Sequence, residues 1–264
     1  MTTTTGPTII VSREKQTLVL TLSNPGFRNA MGPEMYGPLR QALVDAAQDA
    51  DIRCIVLTGA DGVFSAGGNL NRLLANRAKP PSAQEDSISG VNAVVLALQQ
   101  CPLPVIAAVE GAAAGAGLSL ALACDLVIAG TSVKFAMSHV RVGLSPDAGG
   151  SWFAMRNLPR QAAAELMLEG DVWPAERMRE LGLVNQVVAD GSVLATALAR
   201  ADRLAALSPN SIAHIKALMN DALTQDLKAQ LESEKKSFVD CLFHPHAGEA
   251  ISAFLEKRKP QFKS

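Results

Sequence analysis

The chain has 264 residues, 48% of them hydrophobic and 19% charged, which suffices for one large core or two small ones. A formal net charge of −1 favours no nucleic-acid partner, and the longest apolar run, residues 118–123 continuing past Asp125, is too short and interrupted to span a bilayer. Residues 1–7 lack the basic and apolar regions of a signal peptide and read as a frayed start. The four scattered cysteines (Cys54, Cys101, Cys124, Cys241) form no C-x-x-C pair, so reduced thiols in a cytoplasmic protein are expected.

Residues 17–22, T-L-V-L-T-L, alternate as a strand does, and Asn24-Pro25-Gly26 is a turn. Pro33 opens a helix through Leu39, Leu43, Val44 and Ala47. Residues 53–58 form a buried strand ended by Gly59, followed by a glycine-rich loop over 61–69. The stretch Lys79-Pro80-Pro81-Ser82 reads as polar and mobile, ahead of a helix over 87–100 with Ile88, Val91, Val94, Val95 and Leu98 on its apolar side. Residues 104–109 predict a third buried strand. A small-residue run at 111–117 then feeds a helix over 118–124, and 125–129 and 133–135 are short strands.

From about residue 195 the pattern is wholly helical, with candidates at 195–207, 208–223, 227–241 and 245–258. Ser208 caps the second of these and Pro209 takes its first position. Alternating buried strands and helices indicate an α/β class, and short strand pairs around each helix argue for a spiral. The expected division is an α/β core over 1–195 and a helical region over 196–264 that packs on another subunit.

Two loops rich in small residues each join a buried strand to a helix: Phe64-Ser65-Ala66-Gly67-Gly68-Asn69-Leu70 and Gly111-Ala112-Ala113-Ala114-Gly115-Ala116-Gly117. Small residues let backbone approach a ligand, and the first N–H groups of a helix lack internal partners. Two such groups converging on one carbonyl make an oxyanion hole; tight helix–strand packing explains the same small residues. No Gly-Lys-Ser/Thr follows, so a phosphate loop is excluded.

Several strings resemble the crotonase (enoyl-CoA hydratase/isomerase) superfamily, in its order and over nearly the whole chain. They are N-P-x-x-x-N-A at 24–30, I-V-L-T-G at 55–59, F-S-A-G-G-N-L at 64–70, P-V-I-A-A-V-E-G at 104–111, L-A-C-D at 122–125, G-L-S-P-D-A-G-G-S at 143–151 and F-L-E-K-R-K-P-x-F at 254–262. The resemblance implies a spiral of ββα repeats, a C-terminal helical region that drives trimerisation, a trimer or dimer of trimers, and a coenzyme A thioester substrate with no cofactor beyond its coenzyme A moiety. It puts the oxyanion donors on the backbone N–H of Gly68 and Ala116. Ala66 and Leu70 match positions that cradle the adenine end of coenzyme A, Arg28 a basic position near the phosphates, and Phe254 and Lys257 tail residues that reach coenzyme A. Plain solvation is the alternative for Arg28 and Lys257. Asn69 stands where the family usually has Asp.

The family's hydratases activate water with two glutamates. At the matching positions this chain has Ser119 and His139. Serine can hold a water but cannot act as its base near neutral pH, whereas histidine titrates there. One carboxylate remains nearby, Asp147, in a Pro-Asp-x-Gly-Gly string that resembles the ring-isomerising branch of phenylacetate degradation. An Asp beside a thioester enolate can take a proton from one carbon and return it to another; Asp147 also reads as a helix N-cap. His139 is a base or a structural histidine, Ser119 a filler of the pocket wall, and Met137 and Trp152 line the acyl pocket or the core. His244-Pro245-His246 lacks the spacing of a helical metal pair, and no metal is assigned.

The expectation is therefore an enzyme isomerising an unsaturated acyl-CoA, with Asp147 as proton shuttle. Hydration or ring hydrolysis by His139 or Asp147 is the alternative, nucleophilic attack by Asp147 a further one, and a catalytically silent acyl-CoA binder the non-enzymatic one.

Overall fold

The computed structural model describes residues 6–262, so the reading of residues 1–5 lies outside the described residues. In chain order the elements begin β1 (Thr8–Glu14), β2 (Thr17–Ser23), α1 (Pro33–Gln48), β3 (Cys54–Gly59), α2 (Leu70–Asn76) and α3 (Pro81–Gln100). They continue β4 (Val105–Val109), β5 (Ala112–Ala114), α4 (Ala116–Leu122), β6 (Leu126–Gly130), β7 (Lys134–Ala136), α5 (Gly150–Asn157) and α6 (Arg160–Leu168). The rest are β8 (Trp173–Pro174), α7 (Ala175–Glu180), β9 (Gln186–Val188), α8 (Val193–Ala205), α9 (Pro209–Asp221), α10 (Leu227–Phe243) and α11 (Pro245–Leu255).

The strands form a large sheet of order β1-β2-β3-β4-β6-β9, parallel beyond the β1–β2 hairpin, and a small sheet of order β5-β7-β8. Successive turns of the spiral give one strand to each sheet: β4 then β5, β6 then β7. Side chains alternate across the large sheet as a period of two requires. Leu20, Leu22, Ile55, Leu57, Val105 and Ala107 enter the main core with Met35, Leu39 and Leu43 of α1 and Val91, Val94 and Leu98 of α3. Val19, Cys54, Val56, Ile106, Ala108 and Ile128 face the other way and are covered by Val193, Ala197 and Ala201 of α8. With both faces covered, the central strands read as unbroken apolar runs. The expected division at residue 195 falls inside α8, the helix that covers this second face.

Local structure departs from expectation in a few places. β1 is an edge strand with only Ile9 buried, too weakly patterned to stand out. The stretch 79–82 is ordered: Pro80 is the N-cap and Pro81 the first position of α3, which starts six residues before the expected Ser87. Proline suits a first helical position because its fixed φ is already helical and its missing N–H has no partner to lose. The run at 111–117 is not one loop; it holds β5 and the first two residues of α4.

α9 is fastened by a buried polar clasp. Lys216 Nζ donates to Asp125 Oδ2 at 2.6 Å and to the Leu103 carbonyl at 2.7 Å, while the same carboxylate oxygen accepts from Val105 N at 2.7 Å. Asp125 of the L-A-C-D string thus joins β4 to α9. Ser208 caps α9 as expected, its hydroxyl accepting from Ser211 N at 3.3 Å.

All four cysteines are free, three buried and Cys241 half-buried. Burial pushes the Cys54 thiol up to about 12 and raises Cys101 and Cys124 as well. Among the described residues no helix is long and apolar enough to cross a membrane.

Candidate active site

The site forms where the two small-residue loops meet. A buried asparagine clasp holds the first. Asn24 N donates to Asn29 Oδ1 at 3.0 Å and Asn24 Nδ2 to the Ala30 carbonyl. Asn29 Nδ2 in turn donates to the carbonyls of Ala60 (2.8 Å) and Val63 (2.6 Å), and Ser65 Oγ donates to the Asn29 carbonyl at 2.8 Å. Asn29 sits at φ 54°, a left-handed conformation that asparagine tolerates better than most residues. Asn24, Asn29 and Ser65 position the loop. The sequence singled out their strings, N-P-x-x-x-N-A for the two asparagines and F-S-A-G-G-N-L for Ser65, but assigned them no role.

The loops are stitched side by side: Ser65 N donates to the Ala112 carbonyl and Ala114 N to the Ser65 carbonyl at 3.0 Å. Gly67 has φ 89°, and a Cβ there would lie 2.6 Å from the Ala114 carbonyl oxygen and 3.2 Å from the Ala116 nitrogen. A Cβ on Gly117 would lie 2.6 Å from the Ser65 carbonyl oxygen. The small residues therefore pack the loops tightly, and Gly67, the residue before Gly68, sits against the backbone nitrogen of Ala116. The N–H groups of Gly68 and Ala116 find no acceptor among the described residues.

Beside this junction lies the candidate acid–base pair. His139 is in the 3₁₀ turn Ser138–Val142 and is buried; its Nε2 is 3.2 Å from Asp147 Oδ1. A Cβ on Gly115 would come 3.4 Å from His139 Nε2, so the imidazole abuts the residue before Ala116. Asp147 is 29% exposed at its side chain. Its carbonyl accepts from Ser119 Oγ at 3.0 Å and from Gly150 N at 2.9 Å.

Two expectations are corrected here. Asp147 is not the N-cap of α5; Gly149 is, at φ 77°, and the Asp147 carboxylate is turned to His139 instead. Ser119 is no passive wall filler, because its hydroxyl bonds the Asp147 backbone.

Met137 is fully buried with its Sδ 4.0 Å from Ser119 Oγ. Trp152 is half-buried, packs edge-on to Phe153 with centroids 5.0 Å apart, and carries the Arg156 guanidinium over its ring. Tyr36 of α1 also borders the site. Burial pushes its phenol up, Arg72 and Ser87 pull it down, and the Asp147 charge adds to the rise.

Of the expected coenzyme A residues, the structure groups three. Ala66 N donates to the Arg28 carbonyl at 2.9 Å, and Leu70, 56% exposed, begins α2 just beyond. Asn69, in place of the usual Asp, caps α2 by accepting from Arg72 N. Phe254 is in the last turn of α11 and 84% exposed, and Lys257 follows the end of that helix. The His244–His246 pair is a local motif: His244 caps α11 by accepting from His246 N, and the rings meet edge to face. No group of three or more metal-ligating side chains occurs among the described residues.

Residues 12–264 match the profile of the family described as Enoyl-CoA hydratase/isomerase. The chain belongs to this family. It is 39% identical to 1,2-epoxyphenylacetyl-CoA isomerase of Escherichia coli (strain K12), over 94% of this chain and 95% of that protein. It is 34% identical to 2,3-dehydroadipyl-CoA hydratase of the same organism, covering 97% and 98%. Among solved structures, an enoyl-CoA hydratase from Polaromonas sp. JS666 superposes with a TM-score of 0.96 at 51% identity, covering 97% of this chain and all of that one. Acyl-CoA processing follows from membership, and the crotonase-like α/β spiral with a helical C-terminal region is the fold these relatives share.

Proposed function

We propose that the protein isomerises an unsaturated acyl-CoA, moving a double bond through a thioester enolate, with Asp147 as the proton carrier. One observation carries this reading: Asp147 is bonded to both Ser119 and His139, the residues that stand where hydratases of the family hold glutamates, so its carboxylate lies where those glutamates would act. The thioester oxygen would accept from the N–H groups of Gly68 and Ala116, which have no acceptor among the described residues. Asp147 takes a proton from the carbon next to the thioester. The electrons pass into the carbonyl as an enolate, and the same carboxylate returns the proton two carbons further along. The step is redox-neutral, adds no water and needs no group beyond the coenzyme A thioester itself.

The relative at 39% identity is named as an isomerase of an aromatic acyl-CoA epoxide. Tyr36, which feels the Asp147 charge, and the nearby Trp152–Phe153 pair of α5 suit a ring-bearing or a medium-chain acyl group alike. In this reading Arg28, Ala66 and Leu70 would hold coenzyme A, and Phe254 and Lys257 would reach it from the same or a neighbouring subunit. Hydration is the second reading, supported by the hydratase names of the relatives at 34% and 51% identity. The test is incubation with a 3-enoyl-CoA and, separately, a 2-enoyl-CoA in heavy water, followed by NMR and mass spectrometry. Double-bond migration without added water is expected. Water addition to the 2-enoyl substrate, with the 3-enoyl substrate left unchanged, would overturn the isomerase reading.

The reading includes a homotrimer or a pair of trimers. Ile215, Met219, Leu231, Phe238, Phe243 and Phe254 of α9–α11 are each more than half exposed, an apolar surface that a neighbouring copy would cover. Light scattering is expected to give three or six chains; a monomer at micromolar concentration would contradict it.

A further inference from the structure

We infer that His139 and Ser119 are positioning residues that aim the Asp147 carboxylate and neither accepts the substrate's proton; the inference rests on the role of Asp147 proposed above. His139 acts as a neutral ring whose Nε2–H donates to Asp147 Oδ1.

The argument starts from the two ring nitrogens. Nε2 is committed to Asp147 Oδ1 at 3.2 Å. Nδ1 is shut off from solvent and has no hydrogen-bond partner among the described residues. Three protonation arrangements fit the short contact. An imidazolium would leave a charged N–H buried and unpaired at Nδ1. A neutral ring protonated at Nδ1 would bury the same orphan donor and would force the proton of the pair onto Asp147. A neutral ring protonated at Nε2 leaves only an unpaired lone pair at Nδ1. Orphaned buried donors are the rarer and costlier defect, and a charged one costs most. The third arrangement is therefore the stable one. It also leaves Asp147 ionised, the form that can take a proton.

Ser119 completes the placement from the backbone side. Its hydroxyl is fully buried on α4 and donates to the Asp147 carbonyl, which also accepts from Gly150 N. The next two residues, Ala148 (φ 48°) and Gly149 (φ 77°), are both left-handed, and for alanine that conformation is strained. Gly150 allows the approach, since a Cβ there would lie 2.5 Å from Ser119 Oγ and 2.9 Å from Met137 Cε. Ser119 thus fixes the Asp147 main chain while His139 fixes its carboxylate. Tyr36 on α1 feels the Asp147 charge, and Arg72 on α2, paired with Glu34, acts on the same phenol.

The test has two arms on the full-length protein. In the first, ¹⁵N NMR of the histidine rings at pH 7 is read with the His139 signals assigned by their loss in His139→Gln. The neutral Nε2–H tautomer is expected; an imidazolium or the Nδ1–H tautomer overturns the assignment. This arm needs no substrate, so it stands apart from the outcome for the isomerase reading.

The second arm measures turnover of 3-hexenoyl-CoA by wild type, His139→Leu, His139→Gln, Ser119→Ala and Asp147→Asn. His139→Leu is expected to lose about 10–100-fold in kcat with KM within about threefold, as a misaimed carboxylate would. His139→Gln, whose amide donates from a similar place but cannot take up a proton, recovers at least about tenfold over His139→Leu. Ser119→Ala likewise loses kcat with KM little changed. Gln as inactive as Leu would make His139 a proton carrier. Unchanged kcat in folded His139→Leu would leave it a merely structural residue. Either result overturns the inference, whereas full activity of Asp147→Asn, or no turnover by wild type, overturns the functional reading instead.

Discussion

Asp147→Asn is expected to lower turnover about 10²–10⁴-fold while acyl-CoA affinity stays within about threefold. Asparagine matches aspartate in shape, and its Oδ1 still accepts from His139 Nε2. The Ser119 and Gly150 donors hold the main chain and do not touch the side chain. The pocket, the loop and the N–H pair of Gly68 and Ala116 therefore survive, and only the proton acceptor is lost. The loss corresponds to about 3–5 kcal/mol of transition-state stabilisation. Rates compared at saturating substrate, with affinity measured by calorimetry, check it. Unchanged turnover would remove Asp147 from the mechanism.

The second large effect is expected at Ala116. Ala116→Pro deletes one of the two N–H groups that would bind the thioester oxygen, and should cost at least about 10²-fold in rate. Ala116 is the first residue of α4, the helical position where proline is best tolerated, so the helix should keep its start. Gly115 before it, at φ 51° and ψ −126°, is not in the right-handed helical region that a following proline disfavours. The ring carbon on the nitrogen also points where the oxygen would sit, so thioester affinity should fall along with kcat. Ala116→Gly keeps the donor and is the control. A proline variant that melts with wild type and reacts as fast would contradict the assignment of this N–H.

The α/β core was legible because strands buried on both faces print as unbroken apolar runs: residues 54–58 and 105–109 stand out against their polar flanks. β1 was not, because its outward residues are polar or exposed and its pairing with β2 is all that makes it a strand. β5 and β8 were missed for a related reason: three or two residues carry no period, and their existence is set by β7 lying between them. Pro80-Pro81 misled in the opposite direction, since paired prolines signal a break when read locally, yet here they launch a twenty-residue helix.

At the site, the family strings located both loops and Asp147, and they located Ser119 and His139 by the glutamates that are missing. They could not reveal what those two residues bond to. That depends on a crossing of α4, the turn Ser138–Val142 and the Asp147 loop, which lie 8 and 28 residues apart along the chain. The asparagine clasp was hidden in the same way, since Asn29 acts on carbonyls more than thirty residues away.

The most direct test of the central claim follows the proton itself. A 3-enoyl-CoA carrying two deuterons on the carbon next to the thioester is turned over in ordinary water, and the product is mapped by NMR. The account predicts a primary isotope effect, loss of one deuteron from that carbon, and its reappearance in part of the product two carbons further along, carried by Asp147. A product that keeps both deuterons and has gained a molecule of water would contradict it.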